Sequence, residues 1–352
     1  MPDIVAPLTG YLNMALSNFA KEQRQADLIC DYLFPRVPVL RQTDSYIIFG
    51  KEALQRNVQT LRAAGTPAAE GRMSLSSDTY SCPSRALKDT IPDETRNTYP
   101  GDLEMDTVST LQAQLLHDRE YRAMLAVTNP ANFLNNTLAL NAAAQWDAPG
   151  GGDPTGVSRM ARTAIQLGAS VRPNMVALGY DVYECLRTST ALAQRFQFVP
   201  VDGSLSDQQL AQALGVNQVI VGGTVTNNAA AGVNTFDWSN FALYFYSNQA
   251  PVGAAGVLTP GSDGRYQVPV SPYPGQPIGA EGQTGWKQMT FGKSFTWTEG
   301  PQTVNGYGVV TARHPDPTAK ATIVGVDWYS CEKIVAPEAG FLVTNCLANP
   351  TT

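Results

Sequence analysis

The hydrophobic and polar positions of this chain predict one long amphipathic helix near the end of its first third. Apolar residues recur there at the three-to-four-residue spacing of a single helix face: Val108, Leu111 and Leu115. Pro100-Gly101 breaks the chain before this segment, and Asp102 is placed to cap the first turn. The pattern predicts a helix over residues 102–127, roughly 39 Å long, which suits a strut that crosses the molecule.

Charge along this predicted helix follows the helix dipole. Glu104 and Asp106 lie near the amino-terminal end, where negative charge is favoured, and Arg119 and Arg122 lie toward the other end. We therefore interpret the two arginines as residues that complement the negative end of the dipole.

Two predicted strands precede the helix, and a long segment of the sequence separates them. Tyr46–Phe49 predicts one strand, and a second runs from about Ser77 toward Leu87. The residues between them show no sustained apolar period, and structureless loops longer than about 12–15 residues are uncommon in compact domains. The pair predicts a long hairpin with little core of its own, which needs another surface to lie on. A neighbouring subunit is one candidate for that surface, and a plain surface loop is the alternative.

The second half of the chain alternates between helical and extended patterns and then becomes rich in strands. Alternating elements are typical of a compact α/β domain. The predicted elements are a helix from Pro154, a strand at Asn174–Leu178, helices at Tyr180–Thr188 and Ser206–Leu214, and strands at Val216–Val221 and Phe241–Tyr246. Further strands are predicted at Trp286–Thr298, Val304–Arg313 and Ala319–Cys331, with a hairpin across Ile334–Asn345.

Composition narrows the classes of protein that fit these elements. Charged residues make up 15% of the chain, against about 25% in a typical soluble protein. Burial of surface against other subunits explains this deficit, because interface cores are depleted in charge; a neutral, soluble β protein is the alternative. The formal net charge of −6 argues against tight binding to nucleic-acid phosphates, which is typical of strongly basic domains.

The cysteines and histidines argue against disulfide and metal sites. The five cysteines are widely spaced and odd in number, so free thiols fit better than a disulfide framework or a zinc site. Two histidines are too few for a multi-histidine metal site. The amino terminus lacks the pattern of a signal peptide, and no apolar run approaches the roughly 20 residues of a membrane span. We expect a protein that stays soluble where it is made.

Catalytic motifs are missing from the sequence. It contains no nucleophile-elbow GxSxG, no HExxH and no phosphate-binding GxxxxGK[ST]. Gly150-Gly151-Gly152 is interpreted as a hinge or turn, and the carboxylates of Asp89, Asp93 and Glu94 as ion-pair partners of nearby basic residues. We expect a protein that is not an enzyme, with no catalytic residue, no cofactor and no metal.

The order of the predicted parts, together with several sequence segments, resembles the major capsid proteins of tailed bacteriophages, which have the HK97-like fold. An arm, a long hairpin, a strut-like helix, a compact α/β domain and a returning sheet occur together in few architectures. The segments that carry the resemblance are 28–41 (LICDYLFPRVPVLR), 46–52 (YIIFGKE), 62–94 (with AAGTPAAEG, SSDTYSC, ALKDT and IPDE), 115–129 (LLHDREYRAMLAVTN), 174–187 (NMVALGYDVYECLR) and 213–223 (ALGVNQVIVGG).

The resemblance implies an α+β fold with five parts. These are an N-terminal arm at 1–41, an extended loop at 42–92, a peripheral domain with a spine helix at 93–150, an α/β axial domain at 151–285, and strands that return to the peripheral domain at 286–352.

The resemblance also implies a function and partners. Copies of the chain would assemble as pentamers and hexamers into an icosahedral head around double-stranded DNA, which the chain would contact weakly and without sequence specificity. A portal protein, a separate scaffolding protein and a cement protein are the other expected partners. The location would be the virion capsid, after assembly in the host bacterial cytoplasm. The alternative is an encapsulin-type nanocompartment shell, which packages enzymes in place of DNA.

The predicted loop supplies the candidate site residues. Its basic side chains are candidates for contacts with acidic groups on a neighbouring subunit, and simple solvated charges are the alternative: Lys51, Arg56, Arg62 and Arg72. Deletion of residues 52–75 is expected to leave the rest of the chain folded and to prevent closed shells.

Overall fold

The computed structural model describes residues 28–39, 41–50, 55, 57, 60–61, 74–98, 102–148, 152–193, 204–228, 233–247, 289–297 and 309–350. Its helices are α1 (Cys30–Leu33), α2 (Asp93–Thr98), α3 (Leu103–Thr128), α4 (Pro154–Ala169), α5 (Tyr180–Arg187), α6 (Thr190–Ala193) and α7 (Asp207–Leu214), with 3-10 turns at Pro130–Phe133 and Pro337–Ala339. Its strands are β1 (Arg36–Val39), β2 (Thr43–Phe49), β3 (Leu75–Ser81), β4 (Ser84–Pro92), β5 (Thr137–Ala139), β6 (Met175–Gly179), β7 (Gln218–Gly222), β8 (Val225–Asn228), β9 (Val233–Phe236), β10 (Phe241–Phe245), β11 (Gly292–Trp297), β12 (Val309–Asp316), β13 (Ala321–Ile334) and β14 (Gly340–Thr344).

One sheet is built around the 14-residue strand β13. Its strand order is β1-β11-β13-β12, and β4 also pairs with β13. The first part of β13 alternates between buried and half-buried residues, as expected of a strand with one face on a core. The buried face of β13 packs against α3 in a small core of apolar side chains: Ile91, Val108, Leu111, Leu115, Val324, Val326 and Trp328.

A second sheet forms the larger core and has the order β5-β14-β10-β6-β7. Its central strands β6 and β10 are buried along their whole length, because helices α4, α5 and α7 contribute apolar side chains to the same core. The predicted hairpin across Ile334–Asn345 is wrong. Strand β13 ends at Ile334 in the first sheet, whereas β14 pairs with β10 and β5 in the second. The two strands are joined through a 3-10 turn, so this stretch connects the sheets.

The long helix α3 spans both cores, which confirms the predicted strut. The side chain of Asp102 accepts hydrogen bonds from the backbone N–H groups of Glu104 and Met105 and so caps the helix as expected. The amino-terminal half of α3 packs on β4 and β13, and Ala123 and Val127 join the core of the second sheet. The helix therefore fixes the position of one sheet relative to the other.

The hairpin of β2 and β3 has more support within its own chain than its sequence predicts. The strands pair in register from Thr43↔Ser81 to Phe49↔Leu75. One face of the hairpin base is buried against β1 and β11, in a cluster of Tyr46, Tyr80 and Cys82 with Val37, Val39 and Phe295. Tyr80 stacks on Phe295 with ring centroids 4.6 Å apart. The surface that the hairpin base requires is thus a sheet of the same subunit.

A glycine-to-alanine pair tests how tightly the second sheet is packed. At Gly222 an added Cβ would lie 2.5 Å from Cγ of the fully buried Trp238, whereas at Gly325 the nearest atom would be 3.7 Å away. We expect Gly222→Ala to lower the free energy of unfolding by about 1–3 kcal/mol, because the indole must move within a closed core. Gly325→Ala, the matched control, should change it by less than about 0.5 kcal/mol. Urea denaturation checks both values, and equal effects would contradict this packing.

Candidate functional site

The first described residues of the chain are held on α3 by one buried carboxylate. Glu120, which is 1% exposed, accepts hydrogen bonds from the backbone N–H groups of Ile29 at 2.8 Å and Cys30 at 2.9 Å. These are amino-terminal N–H groups of α1, which have no partner within a helix. The same carboxylate accepts a third hydrogen bond from Nε1 of Trp238 at 2.9 Å. Glu120 therefore joins the start of α1, the long helix and the core of the second sheet at one point.

The surroundings of Glu120 raise the pKa of its carboxyl group toward neutral pH. Burial raises the pKa of its carboxyl to about 7, although the three N–H donors and the neighbouring Arg119 act in the opposite direction. Because this folded-state pKa lies above the usual value for glutamate, the stabilisation linked to its proton is present at acid pH and is lost as the pH rises through 7.

A buried ion-pair network lies beside Glu120. Arg119, whose side chain is 2% exposed, contacts Asp31 at 2.6 Å through Nη1 and Glu332 at 3.1 Å through Nε. Arg36 donates to both oxygens of Asp31, at 2.8 and 2.9 Å, in a bidentate pair. Arg122 completes the network with a short contact to the second oxygen of Glu332. We call these five residues the ionic junction.

The arginines of the ionic junction take part both in ion pairs and in contacts with an aromatic ring. Burial alone would raise the pKa of Asp31, but Arg119 and Arg36 hold it well below its usual range. The guanidinium groups of Arg36 and Arg119 also lie over the ring of Trp328, 5.3 and 5.1 Å from its centroid. The junction thus ties α1 and the start of β1 to α3 and to β13.

The structure corrects the interpretation of Arg119 and Arg122 as residues that complement the helix dipole. Neither lies in the last turn of α3, and both pair with carboxylates that are distant in sequence. The sequence did indicate that Arg119 is buried. Its position lies between Leu115 and Ala123 on the helix face that their apolar spacing places in the core. Its partners Asp31 and Glu332 carry no comparable signal.

The other face of the β2–β3 hairpin is open and partly apolar. In the β2–β3 register, Ile47 lies opposite Ser77 and is 60% exposed, and Leu75 at the start of β3 is 57% exposed. On the covered face, Lys333 of β13 contacts Asp78 at 2.6 Å and donates to the carbonyl oxygen of Thr79, so the hairpin is fastened to the sheet. The open face of the hairpin therefore presents two exposed apolar side chains among serine and threonine residues.

The Glu120 contacts and the ionic junction hold elements of the fold in fixed positions, and the hairpin face offers a surface for contact. The described residues contain no grouping of three or more His, Cys, Asp or Glu side chains that could hold a metal ion. Within the same ranges, no helix combines the length and the apolar character that a bilayer crossing requires.

Comparison with solved structures identifies the fold. A phage-related protein of Bordetella bronchiseptica RB50 superposes with a TM-score of 0.68 and 21% identity, over 96% of this chain and 98% of that one. The capsid structure of cyanophage P-SCSP1u matches with a TM-score of 0.54 and 10% identity, over 92% and 89% of the two chains. The chain has an HK97-like capsid fold. A chain of Microbacterium phage Oxtober96 matches with a TM-score of 0.51 and 9% identity, over 92% of both chains. No protein-family model and no curated protein matches the sequence.

The HK97-like fold confirms the α+β class expected from the sequence, but not the candidate contacts in the loop. All four basic residues lie outside the described residues: Lys51, Arg56, Arg62 and Arg72. Within the loop, Gln55 is described, and its side-chain amide donates to Oγ of Ser170 at 2.8 Å, beyond the end of α4. Glu120 and the junction residues Asp31 and Glu332, which hold the segment around α1 on α3, were not among the sequence-based candidates.

Proposed function

We propose that this chain is a major capsid protein that assembles as pentamers and hexamers into the icosahedral head of a tailed phage. The observation that carries the proposal is the match to the cyanophage capsid structure, which extends over 92% of this chain and 89% of that one. A likeness over single elements would support only a shared motif, whereas a match over nearly the whole chain supports a shared architecture. In this proposal the chain is structural and catalyses no reaction.

The parts of the chain take separate roles in the proposed shell. We assign residues 1–41 to an arm, 42–92 to the extended loop, 93–150 to a peripheral domain, 151–285 to an axial domain and 286–352 to returning strands. The axial domains would meet around the centre of each pentamer or hexamer. The open apolar face of the hairpin, with Ile47 and Leu75, supports a contact between the loop and an adjacent copy, because burial of that face removes apolar surface from water.

The proposed contents and further partners follow from the same assignment. Double-stranded DNA would be enclosed with weak contacts lacking sequence specificity, which fits the net charge of −6. A portal protein, a separate scaffolding protein and a cement protein belong to the proposal as partners. The head of the virion is the proposed location, reached after assembly in the bacterial cytoplasm.

Self-assembly is the test of this function. Purified full-length chain is expected to form capsomers or shells with a mass many times the 37.8 kDa of one copy, because the contact surfaces lie on every subunit. Light scattering coupled to gel filtration measures the mass, and electron micrographs reveal the shells. A chain that remains monomeric at high protein concentration contradicts the proposal. Shells that capture a co-expressed enzyme and exclude nucleic acid would point to the nanocompartment alternative.

A further inference from the structure

Two cysteines meet where the β2–β3 hairpin packs on the first sheet. Cys82 follows the end of β3 and is fully buried, and Cys331 lies within β13 and is half-buried. Both take part in the cluster of side chains that joins the hairpin base to the sheet. Both are free thiols. The hairpin and the sheet therefore each contribute one thiol to the same interface.

Hydrogen bonds place each thiol beside the neighbour of the other. Sγ of Cys82 donates to the carbonyl oxygen of Phe295 at 3.3 Å. Phe295 is the cross-strand partner of Cys331 in the antiparallel β11–β13 pair, and side chains at directly opposed positions share one face of a sheet. The backbone N–H of Ser81, the residue before Cys82, donates in turn to the thiol of Cys331. The two thiols thus face each other across a closely packed contact.

Both backbones at this contact are held in place. The N–H of Cys82 donates to the carbonyl oxygen of Gln42 at 2.9 Å, and the side-chain amide of Gln42 donates to the carbonyl oxygen of Cys82 at 3.0 Å. On the sheet, Lys333 donates to the carbonyl oxygen of Thr79, as described above. A disulfide needs two backbones that lie close together and stay in position, because its geometry leaves little freedom. This interface provides both conditions.

We propose that Cys82 and Cys331 form an intramolecular disulfide under oxidising conditions, and that this bond latches the β2–β3 hairpin to β13. The oxidant is a small-molecule disulfide such as glutathione disulfide. The thiolate of the half-buried Cys331 attacks one sulfur of the oxidant, and one glutathione thiolate leaves. The thiolate of Cys82 then attacks Sγ of Cys331, and the second glutathione thiolate leaves. Two cysteine thiols are oxidised, one glutathione disulfide is reduced, and the two cysteine protons pass through solvent to the two glutathione thiolates.

Burial makes this reaction slow at neutral pH. It raises the pKa of the Cys82 thiol to about 12, and it also raises the pKa of Cys331 above its usual value. Since the thiolate is the reacting form, only a small fraction of either cysteine can react at any moment. The rate at which the bond forms should therefore increase as the pH rises above 7.

The latch does not depend on the proposed shell function, because both cysteines belong to one subunit. A reducing cytoplasm keeps thiols reduced, whereas an oxidising medium favours disulfides. In the proposed phage head, packing alone would hold the hairpin base during assembly in the cell, and the covalent bond would be added in the particle outside it.

Peptide mapping of the oxidised full-length protein tests whether the bond forms. The protein is incubated with glutathione disulfide at pH 8, the remaining thiols are alkylated, and the peptides are separated without reduction. We expect one cross-linked pair of peptides that contains Cys82 and Cys331, in a protein that still runs as a single chain on a non-reducing gel. Dithiothreitol should release the pair. The proposal is overturned by a glutathione adduct on Cys331 without the cross-link, by a cross-link between copies, or by two free thiols after prolonged incubation.

Hydrogen exchange then tests whether the bond latches the hairpin. In one assembly state, exchange of a peptide covering residues 75–81 should slow on the order of tenfold on oxidation, because the bond suppresses local opening. Cys331→Ala should remove this response. Cys185→Ala, which replaces another half-buried cysteine, should retain it. Equal exchange in oxidised and reduced wild type, or a response that persists in Cys331→Ala, contradicts the latch. Circular dichroism shows whether each variant is folded, and the wild-type comparison decides the question if Cys331→Ala is not.

Discussion

Removal of residues 51–73, with Gly50 and Ser74 joined through an Asn-Gly turn, is expected to give a folded chain that forms no closed shell. The limits follow the β2–β3 ladder more closely than a deletion of 52–75, because the N–H of Gly50 donates to the carbonyl oxygen of Ser74 and Phe49 pairs with Leu75. The hairpin base keeps its packing on β1 and β11, and Asn-Gly is a favoured two-residue turn. The proposed contact with a neighbouring copy is lost with the removed loop.

Electron microscopy tests whether the shortened chain forms shells, and circular dichroism tests whether it is folded. The wild-type chain should give shells, and the shortened chain should give a native spectrum with capsomers or single subunits. Normal shells from the shortened chain would refute the role of the loop in assembly. Loss of the native spectrum would refute the claim that the hairpin base folds without the loop.

A variant that keeps the loop but removes its positive charges separates the effect of loop length on assembly from the effect of charge. Replacement of the four basic residues by glutamine retains the loop and removes the proposed contacts with acidic groups: Lys51, Arg56, Arg62 and Arg72. We expect shells to form only at a higher protein concentration, and we expect added salt to weaken wild-type assembly more than assembly of the variant. An identical salt response in the two chains would indicate that these residues are solvated charges.

The second large effect is expected from Arg119→Ala in the ionic junction. Loss of the guanidinium leaves Glu332, which is 3% exposed, with Arg122 as its remaining cation, and it opens a void over Trp328. Removal of one partner of a buried ion pair typically costs about 3–5 kcal/mol. Because Asp31 retains Arg36, we expect the free energy of unfolding to fall by about 3 kcal/mol, at the lower end of that range.

An exposed ion pair of the same chain supplies the control for Arg119. Arg187 pairs with Glu184 at 3.5 Å, and both side chains are 40% exposed. Arg187→Ala should change the free energy of unfolding by about 0–1 kcal/mol, since solvent screens this pair. Urea denaturation of the unassembled chains compares the two variants. Similar losses in both would contradict a buried junction that stabilises the fold.

Local sequence signals predicted the helices well, because capping and spacing act over a few residues. Helix α3 begins one residue after Asp102, as its cap predicts, and α7 (Asp207–Leu214) matches the helix predicted over Ser206–Leu214, with Ser206 as its cap and the left-handed Gly215 after its end. The alternation in β13 is likewise readable from its own residues. Each of these signals lies within the element that it defines.

Long-range contacts escaped prediction because their partners are far apart along the chain. Asp31 and Arg119 are 88 residues apart, and Arg119 and Glu332 are 213 residues apart. Neither carboxylate stands out in its own segment. The transfer of β14 to the second sheet was missed for a similar reason, since a proline-containing turn such as Ala336-Pro337-Glu338 fits a hairpin as well as a connection. Topology settles such choices, and single-sequence patterns do not contain it.

The pairing of β13 also constrains the order of events during synthesis. Among the described strands, β4 finds its only sheet partner in β13, although the paired positions are 229 to 245 residues apart, and β12 depends on the same strand. A nascent chain on the ribosome can form α3 early, but the pairing of β4 is incomplete until Tyr329 has left the exit tunnel. Contacts of such high sequence separation slow folding. The rate at which subunits become competent for assembly should therefore be limited by events after the synthesis of β13, and chaperones have access to β4 in the interval.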